Sequence, residues 1–356
     1  MPRGRKIITA AAAVMAAALV IGASVISWRR GRSYQTTAFL MDTFVSIKFY
    51  GDRAQEAAEA LVTHLQQYEE NISLYREQSP IARLNAAAGK EPVEMDEETF
   101  GLLQRAKEYS LLSQHTFDIT VAPLSLLWGV TSQHPRVPGR EEIESALPLI
   151  DAGDLVLDGQ AKTAMLRREG QAVDLGGIAK GAACELVFSV MDEYGIENGY
   201  ASLGGNMAVR GRYPDSGKDF LFGIRDPRGE GSEYIATLPL RGLTMATTGD
   251  YERYFERDGV RYHHVLDPRT GYPARGGLIS VSVVSEDGAL ADFLSTALFV
   301  AGKEETLRQM DSEDYSVIAV DEALNVYVSE RLYGSLTPNS GKDQYQFHYI
   351  GEGTRE

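Results

Sequence analysis

The segment that most constrains this fold is residues 173–181, with the sequence Val-Asp-Leu-Gly-Gly-Ile-Ala-Lys-Gly. A short apolar run ends there at Asp174, turns on paired glycines and enters a helical pattern that carries Lys180 near its start. Glycines let the main chain approach an anion, a helix N-terminus carries partial positive charge, and the lysine adds a full charge. The pattern predicts a phosphate-binding turn, although paired glycines alone are also typical of an ordinary strand-to-helix turn.

A second segment predicts a pair of metal ligands. Residues 289–301 read as a helix that ends at Gly302, which places Asp292 and Thr296 on one face. A carboxylate and a hydroxyl are the kind of oxygen ligands that Mg²⁺ takes beside a diphosphate. Taken alone, the same pair also fits a solvated helix face or local side-chain hydrogen bonds.

Between these segments, the adjacent His263 and His264 run into an Asp-Pro-Arg-Thr-Gly turn that starts at Asp267. Proline, glycine and aspartate fix turns for backbone reasons, so the turn is structural by default. A histidine beside it can transfer protons, and His264 is the first candidate for a general base because it directly precedes the Val-Leu-Asp-Pro run. Asp267 is the second candidate and His263 stays open. A histidine that only stacks against the turn is the alternative.

The charge of the chain limits its partners. Its formal net charge is −15, with 50 acidic residues against 35 basic ones. This balance argues against nucleic-acid binding, and it would repel an anionic dinucleotide unless local cations offset it. The turn lacks the glycine spacing of a Rossmann or P-loop motif. The one cysteine, Cys184, follows the turn on its helix and is expected to be a small buried residue.

Patterns along the rest of the chain predict an α+β fold. Strand-like runs occur at residues 44–50, 278–285 and 315–320, and helical patterns at 54–68, 97–113, 141–147, 178–194 and 290–300. No long linker or low-complexity stretch separates them, so residues 34–336 are predicted to form one large mixed α/β catalytic domain. Residues 337–356 are polar and are expected to form a C-terminal tail.

With these segments in hand, the chain resembles the ApbE family, the FAD:protein FMN transferases. The resemblance runs from residue 37 to residue 332 and rests on many motifs in order. These are Met-Asp-Thr at 41–43, Ser-Leu-Tyr at 73–75, Ala-Arg-Leu-Asn at 82–85, Thr-Phe-Asp-Ile-Thr-Val-Ala-Pro-Leu at 116–124, the turn at 174–181, Ala-Ser-Leu-Gly-Gly-Asn at 201–206, Gly-Ile-Arg-Asp-Pro at 223–227, Ala-Thr-Thr-Gly-Asp-Tyr at 246–251, the turn at 264–271 and the helix at 291–297. Each motif is weak alone, and their order carries the resemblance.

The resemblance implies a mixed α/β fold similar to the T-fold and an enzyme that binds FAD with Mg²⁺. Such an enzyme transfers the FMN half to a threonine or serine hydroxyl of a partner flavoprotein and releases AMP. The residues that would line the FAD site are Met41, Tyr75, Thr116, Phe117, Asp118, Asp174, Lys180, His264 and Leu266. The Mg²⁺ ligands would be Asp292, Thr296 and a main-chain oxygen near Gly177, with another main-chain oxygen near Ala289. The acceptor would carry an Asp-x-x-Thr-Gly-Ala-type loop in an FMN-binding domain.

The N-terminus predicts a location. Basic residues flank an uncharged run at residues 7–28, which as a helix spans about 33 Å and is long enough to cross a bilayer. A cleaved signal peptide usually has a shorter apolar core, although the small residues at 22–24 match a cleavage site. Many members of the resembled family are lipoproteins, and this chain has no cysteine there. We therefore expect residues 1–33 to anchor an extracytoplasmic domain to the membrane, with a signal segment as the alternative.

Three functions stay open on the sequence. The first is the FMN transferase. The second is a metal-dependent FAD pyrophosphatase, in which water replaces the acceptor and the products are FMN and AMP. The third is an extracytoplasmic flavin-binding protein without catalysis. The presence of His264 together with Asp292 and Thr296 argues against the third, because a protein that only binds flavin does not need a base.

Overall fold

The computed structural model describes residues 32–310 and 312–351. The strands, in chain order, are β1 (Ser33–Leu40), β2 (Thr43–Tyr50), β3 (Val93–Glu94), β4 (Leu155–Asp158), β5 (Thr163–Leu166), β6 (Asn198–Leu203), β7 (Asn206–Arg210), β8 (Phe220–Arg225), β9 (Tyr234–Leu240), β10 (Leu243–Gly249), β11 (Tyr254–Arg257), β12 (Val260–His263), β13 (Leu278–Ser285), β14 (Tyr315–Asp321), β15 (Asn325–Ser329), β16 (Thr337–Pro338) and β17 (Gln346–Ile350). The α-helices are α1 (Ala54–Ile72), α2 (Pro80–Ala86), α3 (Glu97–Leu112), α4 (Ala122–Trp128), α5 (Arg140–Ala146), α6 (Ala179–Glu193), α7 (Gly288–Ala301) and α8 (Lys303–Arg308).

A nine-stranded sheet organises these elements, in the order β1-β2-β6-β7-β10-β13-β14-β15-β17. Neighbouring strands run antiparallel except β15 and β17, which are parallel. Strands β8, β9 and β16 form a smaller sheet, β3 to β5 form another, and β11 pairs with β12 as a hairpin. The fold is mixed α/β, as the sequence patterns predict.

Both faces of the large sheet are covered. In β14, Val317 and Ala319 join the core under α1, α6 and α7, whereas Ile318 and Val320 join a second core with β8 and β9. Successive residues of a strand point to opposite faces, so this alternation places helices on one face and the small sheet on the other. The long helices α6 and α7 therefore lie side by side above the centre of the sheet, which brings two of the predicted site segments together.

Most predicted elements lie where the patterns place them. The strand-like runs became β2, β13 and β14, and the five helical patterns became α1, α3, α5, α6 and α7. Cys184 is buried in α6, and Trp128 is fully buried, with its indole nitrogen donating to the Gly271 carbonyl at 2.8 Å. Cys184 therefore has the packing role expected of it.

The expectation of a polar tail after residue 336 is wrong for residues 337–350. Strand β16 pairs with β9, and β17 pairs in parallel with β15 at the edge of the large sheet. Tyr345 is buried in the second core, and its hydroxyl donates to Asp226. Parallel pairing joins segments that turn signals do not link, so the local sequence carries little sign of it.

The predicted membrane anchor at residues 1–33 lies almost entirely outside the described residues. Within 32–310 and 312–351, none of the helices has the length and apolarity to cross a membrane.

Candidate active site

A cavity of 470 Å³ opens where the predicted site segments meet. Its walls come from the turn between β1 and β2, the end of α1, the turn before α6, the end of β10, the segment after β12 and one face of α7. The predicted FAD and metal residues all line it: Met41, Tyr75, Thr116, Phe117, Asp118, Asp174, Gly177, Lys180, Leu266, Asp292 and Thr296. Of the predicted bases, His264 lines the cavity, whereas His263 and Asp267 do not.

The segment at residues 174–181 forms the predicted turn into a helix, whereas the apolar run before it makes only an isolated bridge, between Ala172 and Val121, and is not a strand. The Asp174 carboxylate accepts from the Gly176 N–H at 2.9 Å, which closes the turn. The N–H groups of Ile178 and Ala179 bond to the Leu175 carbonyl, so α6 begins directly after the glycines and Lys180 lies in its first turn. The helix N-terminus and the lysine thus both face one cavity, and together they favour an anionic ligand.

Helix α7 brings Asp292 and Thr296 to this turn. Asp292 is 3% exposed, and its carboxylate accepts from the Gly181 N–H at 2.8 Å. The Thr296 hydroxyl lies 3.1 Å from that of Thr248. A Cβ atom placed on Gly177 would lie 3.4 Å from the Thr296 hydroxyl oxygen, so the glycine backbone contacts the threonine. The carboxylate, the hydroxyl and the glycine turn therefore form one corner of the cavity.

The electrostatics of this corner favour a cation. Burial raises the pKa of Asp292 above its usual value, while Lys180, Asn206 and the Gly181 N–H oppose that rise. A buried carboxylate is costly unless it is paired or bound to a metal. The donors are a carboxylate, a hydroxyl and a main-chain carbonyl, all hard oxygens that suit Mg²⁺. The residues present fit the predicted ion.

The donor set has one carboxylate. Within the described parts of the chain, no group of three or more His, Cys, Asp or Glu side chains is placed to hold a metal. An ion held by Asp292, Thr296 and Gly177 would therefore complete its shell with water or with oxygens of the bound substrate. Ala289, near which the resemblance implied a further main-chain ligand, does not line the cavity.

The two histidines have different environments. His263 is 4% exposed, and its Nε2 donates to the Ala274 carbonyl at 3.0 Å, so it holds the chain after β12. His264 lines the cavity, and its Nδ1 lies 3.2 Å from the Arg253 carbonyl. Because a carbonyl only accepts, Nδ1 carries the hydrogen and Nε2 is the acceptor of the ring. His264 is therefore the histidine equipped to take a proton from a ligand.

Asp267, the second predicted base, makes its hydrogen bonds within its own turn. Its carboxylate accepts from the Arg269 side chain at 2.8 and 2.9 Å and from the Arg269 N–H at 2.9 Å. Its carbonyl accepts from the Gly271 N–H at 2.8 Å. The side chain does not line the cavity. This geometry gives Asp267 the structural role that such turns have by default.

The aromatic and anionic residues of the cavity have different roles. Tyr75 is 61% exposed at the rim, where its hydroxyl lies 3.2 Å from that of Thr131. Phe117 is buried, edge-on to Phe293 with ring centroids 5.1 Å apart. Asp118 accepts from Thr120 and from the Ala152 N–H, so its carboxylate orders the loop that lines the cavity. Tyr75 is the ring most open to stacking against a ligand.

The hairpin between β1 and β2 places strained residues at the rim. Met41 and Asp42 have φ values of 52° and 55°, the left-handed region that glycine usually occupies. The Arg253 guanidinium donates to the Asp42 carbonyl at 3.0 Å and fixes the turn. Non-glycine residues in this region cost about 1–3 kcal/mol each and persist at functional sites. Positive φ at both residues is what a two-residue hairpin turn requires, and this turn places Met41 at the wall of the cavity.

Sequence reasoning assigned no role to Asn206, which lies beside Asp292. Asn206 is 1% exposed, and neither amide atom has a hydrogen-bond partner within residues 32–310 and 312–351. Its amide nevertheless lowers the pKa of Asp292. The Gly-Gly-Asn run at 204–206 was the available signal, because a polar residue that directly follows a glycine turn and begins a strand is unusual in a core.

A pH-dependence of stability follows from His264. Burial, with the charges of Lys180 and Arg253 nearby, lowers the pKa of His264 from 6.5 to about 3. Between these values the unfolded chain binds a proton that the folded chain does not, so the free energy of unfolding falls as pH drops below 6.5. In His264→Asn we expect this slope to decrease by up to about 1.4 kcal/mol per pH unit.

Urea unfolding at pH 7, 6, 5 and 4.5 measures that slope. His134→Asn, at an exposed loop residue, controls for the loss of one histidine. Equal slopes for His264→Asn and the unchanged chain would contradict the buried neutral state of His264.

Comparison with known proteins agrees with the fold. Residues 41–320 match the model of the ApbE family. The chain is 32% identical to the FAD:protein FMN transferase of Klebsiella pneumoniae (strain 342), over 84% of this chain and 92% of that protein. It is 33% identical to the FAD:protein FMN transferase of Treponema pallidum (strain Nichols), over 82% of this chain and 86% of that protein. The ApbE protein of Thermotoga maritima superposes with a TM-score of 0.76 at 33% identity and covers 88% of this chain and 99% of that one.

The fold and the cavity define a mixed α/β protein with a glycine turn at a helix N-terminus beside a corner of oxygen donors. The chain belongs to the ApbE family. The family and its mixed α/β fold, both predicted from the motifs, are confirmed. The names of its relatives also confirm the predicted class of enzyme, a transferase.

Proposed function

We propose that this chain is an Mg²⁺-dependent FAD:protein FMN transferase, which attaches FMN to a threonine or serine of a partner flavoprotein and releases AMP. One observation carries the proposal: the anion-binding turn and the Asp292–Thr296 pair form a single corner of one cavity. The Gly181–Asp292 hydrogen bond and the Gly177–Thr296 contact join them. A diphosphate and a divalent cation are the ligands that such a corner suits.

The turn at residues 174–181 and the rim of the cavity bind the FAD. The N-terminus of α6 and Lys180 hold the diphosphate and offset the net negative charge of the chain. Tyr75 at the rim provides a ring against which a flavin or an adenine stacks. Asp118 and Asp174 fix the loops that surround the ligand, because both carboxylates accept from nearby backbone N–H groups.

Asp292, Thr296 and the Gly177 carbonyl would hold Mg²⁺. When bound, the ion neutralises negative charge on the phosphate oxygens and on the leaving AMP.

His264 accepts the proton of the acceptor hydroxyl. A bond forms between the acceptor hydroxyl oxygen and the phosphorus of the FMN half, the bond from that phosphorus to the AMP oxygen breaks, and the hydroxyl proton passes to Nε2 of His264. In the free cavity the positive charges of Lys180 and Arg253 contribute to the low pKa of His264. Burial is the largest cause of this low pKa. A bound diphosphate would oppose only the contribution of the two positive charges, and this opposition acts toward a higher pKa of the base.

Transfer is tested with the full-length chain in mild detergent, FAD, Mg²⁺ and an FMN-binding domain that carries an Asp-x-x-Thr-Gly-Ala loop. We expect flavin fluorescence that stays on the acceptor after denaturation. An acceptor whose loop threonine is changed to alanine is the matched control and should stay dark. AMP and free FMN without labelling would support the FAD pyrophosphatase. FAD that binds and stays intact would support the non-catalytic flavin-binding protein.

The location of the domain is a separate proposal. We propose that residues 1–33 anchor the protein and that residues 34–351 act outside the cytoplasm. The 22 uncharged residues at 7–28 support the anchor, whereas the basic residues on both sides give no preference for its orientation. The N-terminal sequence of the membrane-bound protein tests it, since an uncleaved anchor begins at residue 1 or 2 and a cleaved signal near residue 25.

A further inference from the structure

A second cavity of 410 Å³ adjoins the active-site cavity. The two cavities share Thr43, Gly204, Thr247 and Glu252. Gly204 has a φ of 60°, and a Cβ atom there would lie 2.3 Å from the Thr43 hydroxyl oxygen, so the two turns that form the shared rim pack closely. We call this second cavity the side groove; it shares a rim with the cavity where the phosphate chemistry is proposed.

The side groove has a lining of mixed polarity, with apolar side chains on one part of it, beside an exposed aromatic pair. Met207 and Met245, from adjacent strands β7 and β10, line it and are 8% and 5% exposed. Phe44 also lines it and is 70% exposed. Phe44 stands opposite Phe39 across the β1–β2 hairpin, with ring centroids 5.5 Å apart, and Phe39 is 63% exposed. Exposed apolar surface rimmed by polar residues marks interaction sites, and the two adjacent exposed rings beside this cleft have that character.

One wall of the groove is the edge strand β8, from Phe222 to Arg225. Among the described strands, β8 pairs with β9 on one side and with none on the other. An unpaired strand edge offers N–H and carbonyl groups to an extended peptide, and neighbouring pockets then select its side chains. The groove therefore has the features that bind an extended segment of another protein.

We propose that the side groove receives the acceptor flavoprotein. An extended segment of the acceptor lies along β8, places an apolar side chain against Phe44, and presents its threonine or serine hydroxyl at the shared rim. This proposal rests on the proposed transferase function, because transfer requires the acceptor oxygen to reach the phosphorus in the neighbouring cavity. Thr43, Gly204, Thr247 and Glu252 border both cavities, so an acceptor hydroxyl presented at this rim would lie next to the active-site cavity.

Phe44→Ser tests the proposal, because Phe44 lines the groove and not the active-site cavity. With the full-length chain, we expect the KM for the acceptor domain to rise at least about tenfold, as for an aromatic anchor of an interface. The Kd for FAD should stay within about twofold, since uniform loss of acceptor binding leaves the other substrate untouched. Leu112→Ser is the matched control: Leu112 is 66% exposed at the end of α3, outside both cavities.

The outcomes separate the two proposals. A raised KM in Phe44→Ser, with normal FAD binding and no change in Leu112→Ser, supports docking in the side groove. Normal transfer by the unchanged chain with an unaltered KM in Phe44→Ser overturns the docking site and leaves the transferase intact. A dimer that Phe44→Ser dissociates without changing KM, measured by light scattering, also overturns it and makes this surface a contact between two copies. Absence of transfer by the unchanged chain overturns both proposals.

Discussion

Replacing Asp292 by asparagine is expected to lower FAD turnover at least about 1,000-fold, roughly 4 kcal/mol of lost transition-state stabilisation. The amide keeps the size of the side chain and removes the charge that binds the metal. Asp292 is the one carboxylate in the proposed donor set, so no neighbouring acid in that set replaces it. The rate of AMP release at saturating FAD, across a series of Mg²⁺ concentrations, measures the effect.

The thermal stability of the variant distinguishes the loss of a metal ligand from damage to the fold. Because burial raises the pKa of Asp292, the charge itself is unfavourable in the folded protein without a metal. Asp292→Asn should therefore keep or raise the Tm measured with a chelator present. Glu304→Gln, which removes an exposed carboxylate on α8, is the control. Unchanged Mg²⁺-dependent turnover in Asp292→Asn would show that the metal lies elsewhere.

Gly181→Ala is expected to lower the free energy of unfolding by about 3 kcal/mol, the upper part of the range for overpacked cores. A Cβ atom at Gly181 would lie 2.1 Å from the Gly288 carbonyl oxygen and 2.4 Å from Cβ of Asp292. These neighbours are helix backbone and the root of a buried side chain, so they cannot move aside without separating α6 from α7. The same displacement moves Asp292 from the turn, and we expect turnover to fall with stability.

The sign of the stability change in Gly181→Ala tests the close approach of α6 and α7. Glycine to alanine inside a helix normally stabilises by about 0.5–1 kcal/mol. Gly101, in α3, has nothing within 4 Å of an added Cβ atom, so Gly101→Ala should show that gain. Urea unfolding of the two variants gives both values. A stabilising Gly181→Ala would refute the close approach of α6 and α7 on which the metal corner depends.

The sequence predicts those parts of the site whose residues form a recognisable local pattern. The turn at 174–181 and the helix that carries Asp292 and Thr296 were readable because glycine pairs and helical spacing leave local signals. That they meet in one corner depends on the Gly181–Gly288 contact between helices far apart in the chain, which no local pattern encodes. The family resemblance supplied that juxtaposition, and the structure supplies its physical cause.

Other features were beyond local reasoning for the same reason. Asp267 was a plausible base until its pairing with Arg269 and its place outside the cavity were visible. Asn206 stood in a quoted motif, but its burial beside Asp292 is a tertiary fact. Strand β17 depends on a parallel partner, β15, from which the polar segment around Lys342 separates it. The position of Asp267 outside the cavity, the burial of Asn206 and the pairing of β17 with β15 all depend on the whole fold.

The most direct test of the central claim is the ratio of AMP released to FMN bound covalently on the acceptor. The unchanged full-length chain, FAD, Mg²⁺ and the acceptor domain are incubated, AMP is quantified, and the intact mass of the acceptor is measured. The account predicts one AMP for each acceptor that gains the mass of FMN less one water. AMP in large excess over labelled acceptor, with free FMN making up the difference, would contradict transfer and make the chain a hydrolase of FAD.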